Sequence, residues 1–307
     1  MPRASVNGVE IEYRSLGDPG APTLLLIMGL GGQLTRWPEA LCRALADAGH
    51  HVVVYDNRDV GLSSRVAAAE RPNLLAAAIR ARLGLSVRAP YTLDDMALDA
   101  VGLLDHLRLP SAHVVGISMG SMIGQILAAR HGARVASFTS LMSTSGARRV
   151  PRPRLKVQLR LLRPVRGGRE ERIAGITALL RLISSPAYPP DPVELRRAVA
   201  RDLDRSPDQR GYLRQLLAIM ASGSRSTLVR RIQAPTLIVH GQEDPLVPVA
   251  AAHDLRERIP GARLEIIPGM GHDLPAPLIP RFVELIVANA RRGAASAPTG
   301  SPRAAVS

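Results

Sequence analysis

The chemistry-bearing residues are few. Gly116-Ile117-Ser118-Met119-Gly120 is a G-x-S-x-G run, a hydroxyl set between two glycines. Serine is a weak nucleophile on its own and needs a base that is itself held by an acid. His272 supplies a candidate base in Pro268-Gly-Met-Gly-His-Asp273. Asp244 supplies the acid in Gly241-Gln-Glu-Asp-Pro-Leu-Val-Pro248, with Glu243 as its rival. The chain order Ser, Asp, His is that of hydrolases built on a nucleophile elbow. Acyl transfer also needs two donors for the oxyanion. The N–H of Met119, next to the nucleophile, is one. The other belongs in Met28-Gly-Leu-Gly-Gly32, where Leu30 is the choice and Gly29 and Gly31 are alternatives. That loop lacks the Gly-Lys-Ser/Thr ending of a P-loop and the G-x-G-x-x-G dinucleotide pattern. The chemistry needs no metal or cofactor, and the sequence suggests none.

These residues require particular elements to position them. Thr23–Met28 is a continuous apolar run, as in a strand buried on both faces of a parallel sheet, and Ala112–Ile117 is predicted to be another buried strand. His51–Tyr55, Ala136–Met142, Pro235–His240 and Arg263–Ile267 add further strands. Ala4–Val6 and Val9–Arg14 flank Asn7-Gly8 and predict a hairpin. Helices are predicted over Pro38–Ala48, Thr92–Leu107, Met119–His131, Val249–Ile259 and Pro280–Arg291. Thr92 and Asp95 form a capping-box pair at the head of the second of these. Alternating strands and helices indicate an α/β fold, a doubly wound and mostly parallel sheet. Ser118 falls at a strand-to-helix turn, and Asp244 and His272 follow strands, at the strand ends where such sheets bind ligands. The other histidines considered as the base fit less well. His50, His51 and His113 lie at or before strand starts, His106 and His131 at helix ends, and His240 inside a strand end.

With these residues in place the chain resembles the α/β-hydrolase superfamily over roughly Val9 to Ala290. Met28-Gly-Leu-Gly stands where many members have His-Gly. Asp56-Asn-Arg-Asp-Val-Gly-Leu-Ser63 is similar to the family's Asp-x-Arg-Gly-x-Gly-x-Ser loop, with Asp59 in the usual glycine place. The pairing of Met28-Gly-Leu-Gly with Trp37-Pro38 and the Asp56 loop is similar to aclacinomycin methylesterase-like hydrolases. The resemblance implies a carboxylic ester hydrolase with Ser118, Asp244 and His272 as its triad. Lactonase, thioesterase and carbon–carbon hydrolase chemistry use the same residues. A small-molecule receptor on the same scaffold is the alternative outside enzymes. Serine at 118 argues against dehalogenases and epoxide hydrolases of this fold, which use Asp there.

The alternation of strands and helices stops between Ala147 and Arg231, where the family carries a cap. Short helical pieces are predicted there, such as Ile173–Ile183 and Pro192–Leu203. The expected division is a core of 1–146 and 232–292, a helical cap of 147–231 and a disordered tail of 293–307. A second insert, Val66 to Pro90 with helical Leu74–Leu83, is placed to pack beside the cap. The net charge of the chain is +14, and the cap holds nearly all of it, with 20 Arg or Lys against 7 Asp or Glu. Such a surface fits attraction of acidic substrates, a membrane surface or nucleic acid, or simply a solvated arginine-rich face. Two Phe and one Trp in the chain leave little for stacking bases, against a specific nucleic-acid partner. No apolar run is long enough to span a membrane. Cys42 is alone, and the N-terminus lacks a signal-peptide pattern, so a cytoplasmic protein is expected. A small-molecule ester is the expected partner, and oligomeric state has no signature in the chain.

Overall fold

A computed structural model of the chain describes residues 2–67, 73–151, 153, 155–162, 165, 167–208 and 210–295. Eight strands form one sheet: β1 (Arg3–Val6), β2 (Val9–Leu16), β3 (Thr23–Ile27), β4 (His51–Tyr55), β5 (Ala112–Ile117), β6 (Val135–Leu141), β7 (Thr236–Gly241) and β8 (Arg263–Ile267). Their order is β1-β2-β4-β3-β5-β6-β7-β8. β1 pairs antiparallel with β2, and β2 antiparallel with β4; every other neighbouring pair is parallel.

The period of two along a strand, with a core on each face of the sheet, explains the unbroken apolar stretches of β3 and β4. Leu25 and Ile27 of β3 face one core with Val53, Tyr55 and Val114. Leu24 and Leu26 face the other with Val52, Val54 and Val115. Helices cover both faces. α1 (Glu39–Asp47) contributes Leu41, Cys42 and Leu45 to the second core. α2 (Leu74–Leu83) lies in the insert after β4. α3 (Leu93–His106) and α4 (Met119–Arg130) fill the first core. The Asp95 carboxylate accepts from the N–H and hydroxyl of Thr92, at 2.7 and 2.9 Å, and so closes the head of α3.

Between β6 and β7 the chain forms four helices: α5 (Leu155–Leu162), α6 (Arg169–Ile183), α7 (Pro192–Arg205) and α8 (Arg210–Ser222). A separate cluster of Ile173, Val199 and Leu203 joins α6 to α7. Leu74 and Ala77 of α2 pack against Leu216 and Leu217 of α8, so the early insert does lie beside this helical segment. α9 (Ala250–Arg258) and α10 (Ile279–Ala295) complete the fold. α10 runs three residues past the expected end of the core at 292. Gly293 is buried on the Ala136 carbonyl, a contact that leaves no room for a side chain. The rest of the expected tail, 296–307, lies outside the described residues.

Candidate active site

The turn from β5 into α4 determines the position of Ser118. Its φ of +54° and ψ of −117° lie in a region that L-residues with a side chain rarely adopt. The flanking glycines are sterically required. A Cβ on Gly116 would strike the backbone of Gly120 and Ser121, and one on Gly120 would strike the carbonyl of Ile27 in β3. β5, α4 and β3 therefore meet at one point, and the corner they form lifts Ser118 into a cavity of about 880 Å³. Ser118 N–H bonds the Leu141 carbonyl at 2.9 Å, and the Ser143 hydroxyl donates to the Ser118 carbonyl at 2.9 Å. Both contacts brace the backbone and leave the hydroxyl free of that duty.

His272 lines the same cavity. Its Nδ1 is 2.6 Å from Asp244 Oδ2. The other oxygen, Oδ1, accepts from the N–H groups of Leu246 and Val247, both at 2.8 Å. Asp244 is buried and anchored by its own loop, whereas Glu243 is exposed. An Nδ1–H donated to a carboxylate leaves Nε2 with its lone pair, the form a general base requires. His240 is 3.6 Å from the same Asp244 oxygen, but its Nε2 donates to the Val247 carbonyl at 2.8 Å and burial lowers its pKa. It supports the acid loop from beneath. His51 bonds Thr23 and His113 bonds Ser137. His50 packs edge-on against His113. None of these three lines the cavity.

The Met28–Gly32 loop runs against Ser118: a Cβ on Gly29 would stand 3.2 Å from that of Ser118. Several groups fix this loop. Asn57 Nδ2 donates to the Met28 carbonyl at 2.9 Å. Gly31 N–H donates to Gln215 Oε1 at 2.8 Å, and Gly32 N–H to the Gly29 carbonyl at 3.1 Å. The alternative donor Gly31 is thus committed elsewhere, while Leu30 lines the cavity. Met119 is the first residue of α4, where an N–H has no acceptor within its own helix.

Sequence reasoning did not single out Gln215. Its Nε2 donates to the Arg58 carbonyl at 2.8 Å, so one buried amide from α8 joins two core loops. Its loop partners lie 157 and 184 residues away in sequence, and no local pattern marks it. The clamp on the base loop was equally hidden. His272 N–H donates to the Ile183 carbonyl at 2.7 Å, and Gly271 N–H to Ser185 Oγ at 2.8 Å. Ser185 in turn gives its N–H, at 3.1 Å, and its hydroxyl to Asp273 Oδ1. Burial pushes the Asp273 carboxyl above the ordinary carboxylate range, against the lowering effect of Ser185. The end of α6 therefore holds the loop that carries His272.

A family model described as the alpha/beta hydrolase fold matches residues 22–275. The chain belongs to the α/β-hydrolase fold family. Rhodomycin D methylesterase of Streptomyces sp. (strain C5) is 31% identical to this hydrolase over 95% of the chain and 99% of its own length. The 3-oxoadipate enol-lactonase 2 of Acinetobacter baylyi (strain ATCC 33305 / BD413 / ADP1) is 27% identical over 84% of the chain and 85% of its own. Among solved structures, the enol-lactonase from Burkholderia xenovorans LB400 is similar with a TM-score of 0.73 and 26% identity. It covers 94% of this chain and 99% of that one. The likeness to methylesterases expected from the loop sequences is present in full-length relatives. Among the described residues no helix is long and apolar enough to cross a membrane.

Proposed function

We propose that this hydrolase cleaves a carboxylic ester through an acyl-enzyme formed on Ser118. Ser118 Oγ attacks the ester carbonyl while its proton passes to His272 Nε2. Asp244 keeps the imidazole in the required tautomer and stabilises its charged form. The N–H groups of Leu30 and Met119 hold the tetrahedral oxyanion. Collapse expels the alcohol, which takes the proton from His272. Water then attacks the acyl carbon with His272 again as base, and the acid is released. The observation that carries this reading is one cavity holding both Ser118, on its positive-φ corner, and a histidine bonded through Nδ1 to a buried aspartate.

The cavity also bears on substrate class. Its volume of about 880 Å³ and its many aliphatic lining residues suit a bulky, largely apolar molecule. The full-length likeness to a methylesterase supports a methyl ester as the group cleaved. Likeness to enol-lactonases supports a lactone as the second substrate class for the same triad. A panel of methyl esters, p-nitrophenyl esters of graded chain length and lactones tests the proposal. Ester turnover that Ser118→Ala abolishes is the expected result. Absence of hydrolysis across the panel, with the protein folded, would leave a non-catalytic receptor as the better account.

A further inference from the structure

The charged residues on the cavity wall can be paired off one by one. Arg36 is bonded to Asp202, Asp59 to Arg214, and Asp208 to Arg210. Asp273 is held by Ser185. Arg160 and Arg172 remain. Both line the cavity and both are half-buried. Each gives a single Nη2 to a backbone carbonyl: Arg160 to Gly175 at 2.8 Å, and Arg172 to Pro207. Neither has a carboxylate partner among the described residues. A guanidinium has five N–H donors, so most of the hydrogen-bonding capacity of each is uncommitted there.

Both side chains involve α6, Arg172 as one of its residues and Arg160 through its bond to Gly175. Gly175 lies three residues after Arg172, on the same helical face, so Arg160 reaches across from α5 to a point one turn from Arg172. A Cβ on Gly175 would stand 3.1 Å from Arg160 Nη2, which shows how closely the guanidinium lies on that helix. The wall around them is apolar, with Leu161, Ile176 and Leu179 from the same two helices. Cations held against such a wall without a counter-ion are partly desolvated and uncompensated. A planar carboxylate would take up their free donors in the geometry a guanidinium favours.

We propose that Arg160 and Arg172 form an anion-binding subsite in this cavity, which selects esters bearing a carboxylate remote from the bond to be cleaved. The proposal deepens the ester-hydrolase reading and rests on it for the place of the scissile group. It also gives a purpose to part of the positive charge in the segment between β6 and β7, most of whose other mapped arginines are bonded to acids of the protein.

Binding can be measured apart from catalysis. Titration calorimetry on Ser118→Ala protein would compare monomethyl suberate, which carries a distal carboxylate, with the neutral methyl octanoate. The acid ester is expected to bind more tightly. Arg160→Gln and Arg172→Gln should each weaken its binding about tenfold, as loss of a charged hydrogen bond does. Methyl octanoate should stay within about twofold, since it makes no ion pair and serves as the folding control. Arg160→Lys and Arg172→Lys keep the charge but lose the planar fork of donors, so the preference should fall part-way, to a value between those of the parent and the Gln variants. Equal affinity of the parent for the two esters would overturn the subsite, as would a preference unchanged in both Gln variants. Failure of the catalytic reading would look different: native protein would leave both esters uncleaved while the arginine-dependent preference persisted.

Discussion

Ser118 holds a backbone conformation that costs about 1–3 kcal/mol for a residue with a side chain. The strain separates two consequences of replacing it. Ser118→Ala removes the hydroxyl but keeps the Cβ, so ester turnover should fall by about 10³-fold or more with little change in melting temperature. Ser118→Gly removes the hydroxyl and the strain together. It should be as inactive as Ser118→Ala yet more stable by about 1 kcal/mol, measured by denaturant unfolding. At the opposite corner, Asp244→Asn disturbs the imidazole tautomer and should lower kcat about 10⁴-fold. Gln215→Leu acts at one remove. It orphans the Gly31 N–H of the loop bearing Leu30 and the Arg58 carbonyl of the loop after β4, and so unties the first loop from the second. We expect kcat to fall about tenfold with KM nearly unchanged, because the oxyanion forms only in the transition state. An equal rise in KM would mean that Gln215 shapes the binding cavity instead.

The helices between β6 and β7 are tied to the core by charged pairs that meet the loop after β4. Arg205 of α7 reaches Asp56 Oδ2 at 2.7 Å, and Asp56 also accepts from the N–H groups of Leu34 and Leu62. Arg214 of α8 grips Asp59 with two bonds of 2.8 and 2.7 Å. This pair accounts for an aspartate where the family's loop has glycine: Asp59 keeps the positive φ of +76° and adds an anchor for α8. Gly211 lies so close to the Asp59 carbonyl that no Cβ would fit, so α8 is seated directly on the loop. Arg214→Ala leaves a buried carboxylate without its cation and should destabilise the protein by about 3 kcal/mol or more. Asp59→Gly frees an arginine that can turn to solvent and relieves the φ strain, so it should be the milder change. Chemical denaturation of the two variants checks the order. The core elements were legible in the sequence because each obeys a local rule. β4, β5, β8 and α2 have the expected bounds, since apolar period, caps and turn residues all lie within a few residues of one another. The tethers were not legible. Gln215, Arg214 and Ser185 meet partners 86 to 184 residues away, and such meetings depend on how the helices pack, which no spacing rule encodes. Asp244 could be preferred to Glu243 only by its loop motif; the structure puts its carboxylate on the imidazole and leaves Glu243 exposed.

Across the whole molecule, charge and buried histidine govern the response to solution conditions. Burial and the neighbouring His50 lower the His113 pKa from 6.5 to about 4. Burial likewise lowers His50, His51 and His240. An unfolded chain binds protons at these groups below pH 6.5 while the folded one does not. Stability from their burial is therefore complete above about pH 6.5 and is lost as pH falls toward 4. The melting temperature should be level from pH 7 to 8.5 and drop steadily below 6.5. His113→Gln, with no proton to gain, should flatten part of that slope; an unchanged slope would rule out His113 as a source.

The central claim is that Ser118 is an activated nucleophile served by His272. Its most direct test is labelling with a fluorophosphonate, with the modified residue located by peptide mass spectrometry. We expect one phosphonyl group per chain on Ser118, slow labelling in His272→Ala and none in Ser118→Ala. Label on another residue, or labelling that persists in Ser118→Ala, would contradict the account.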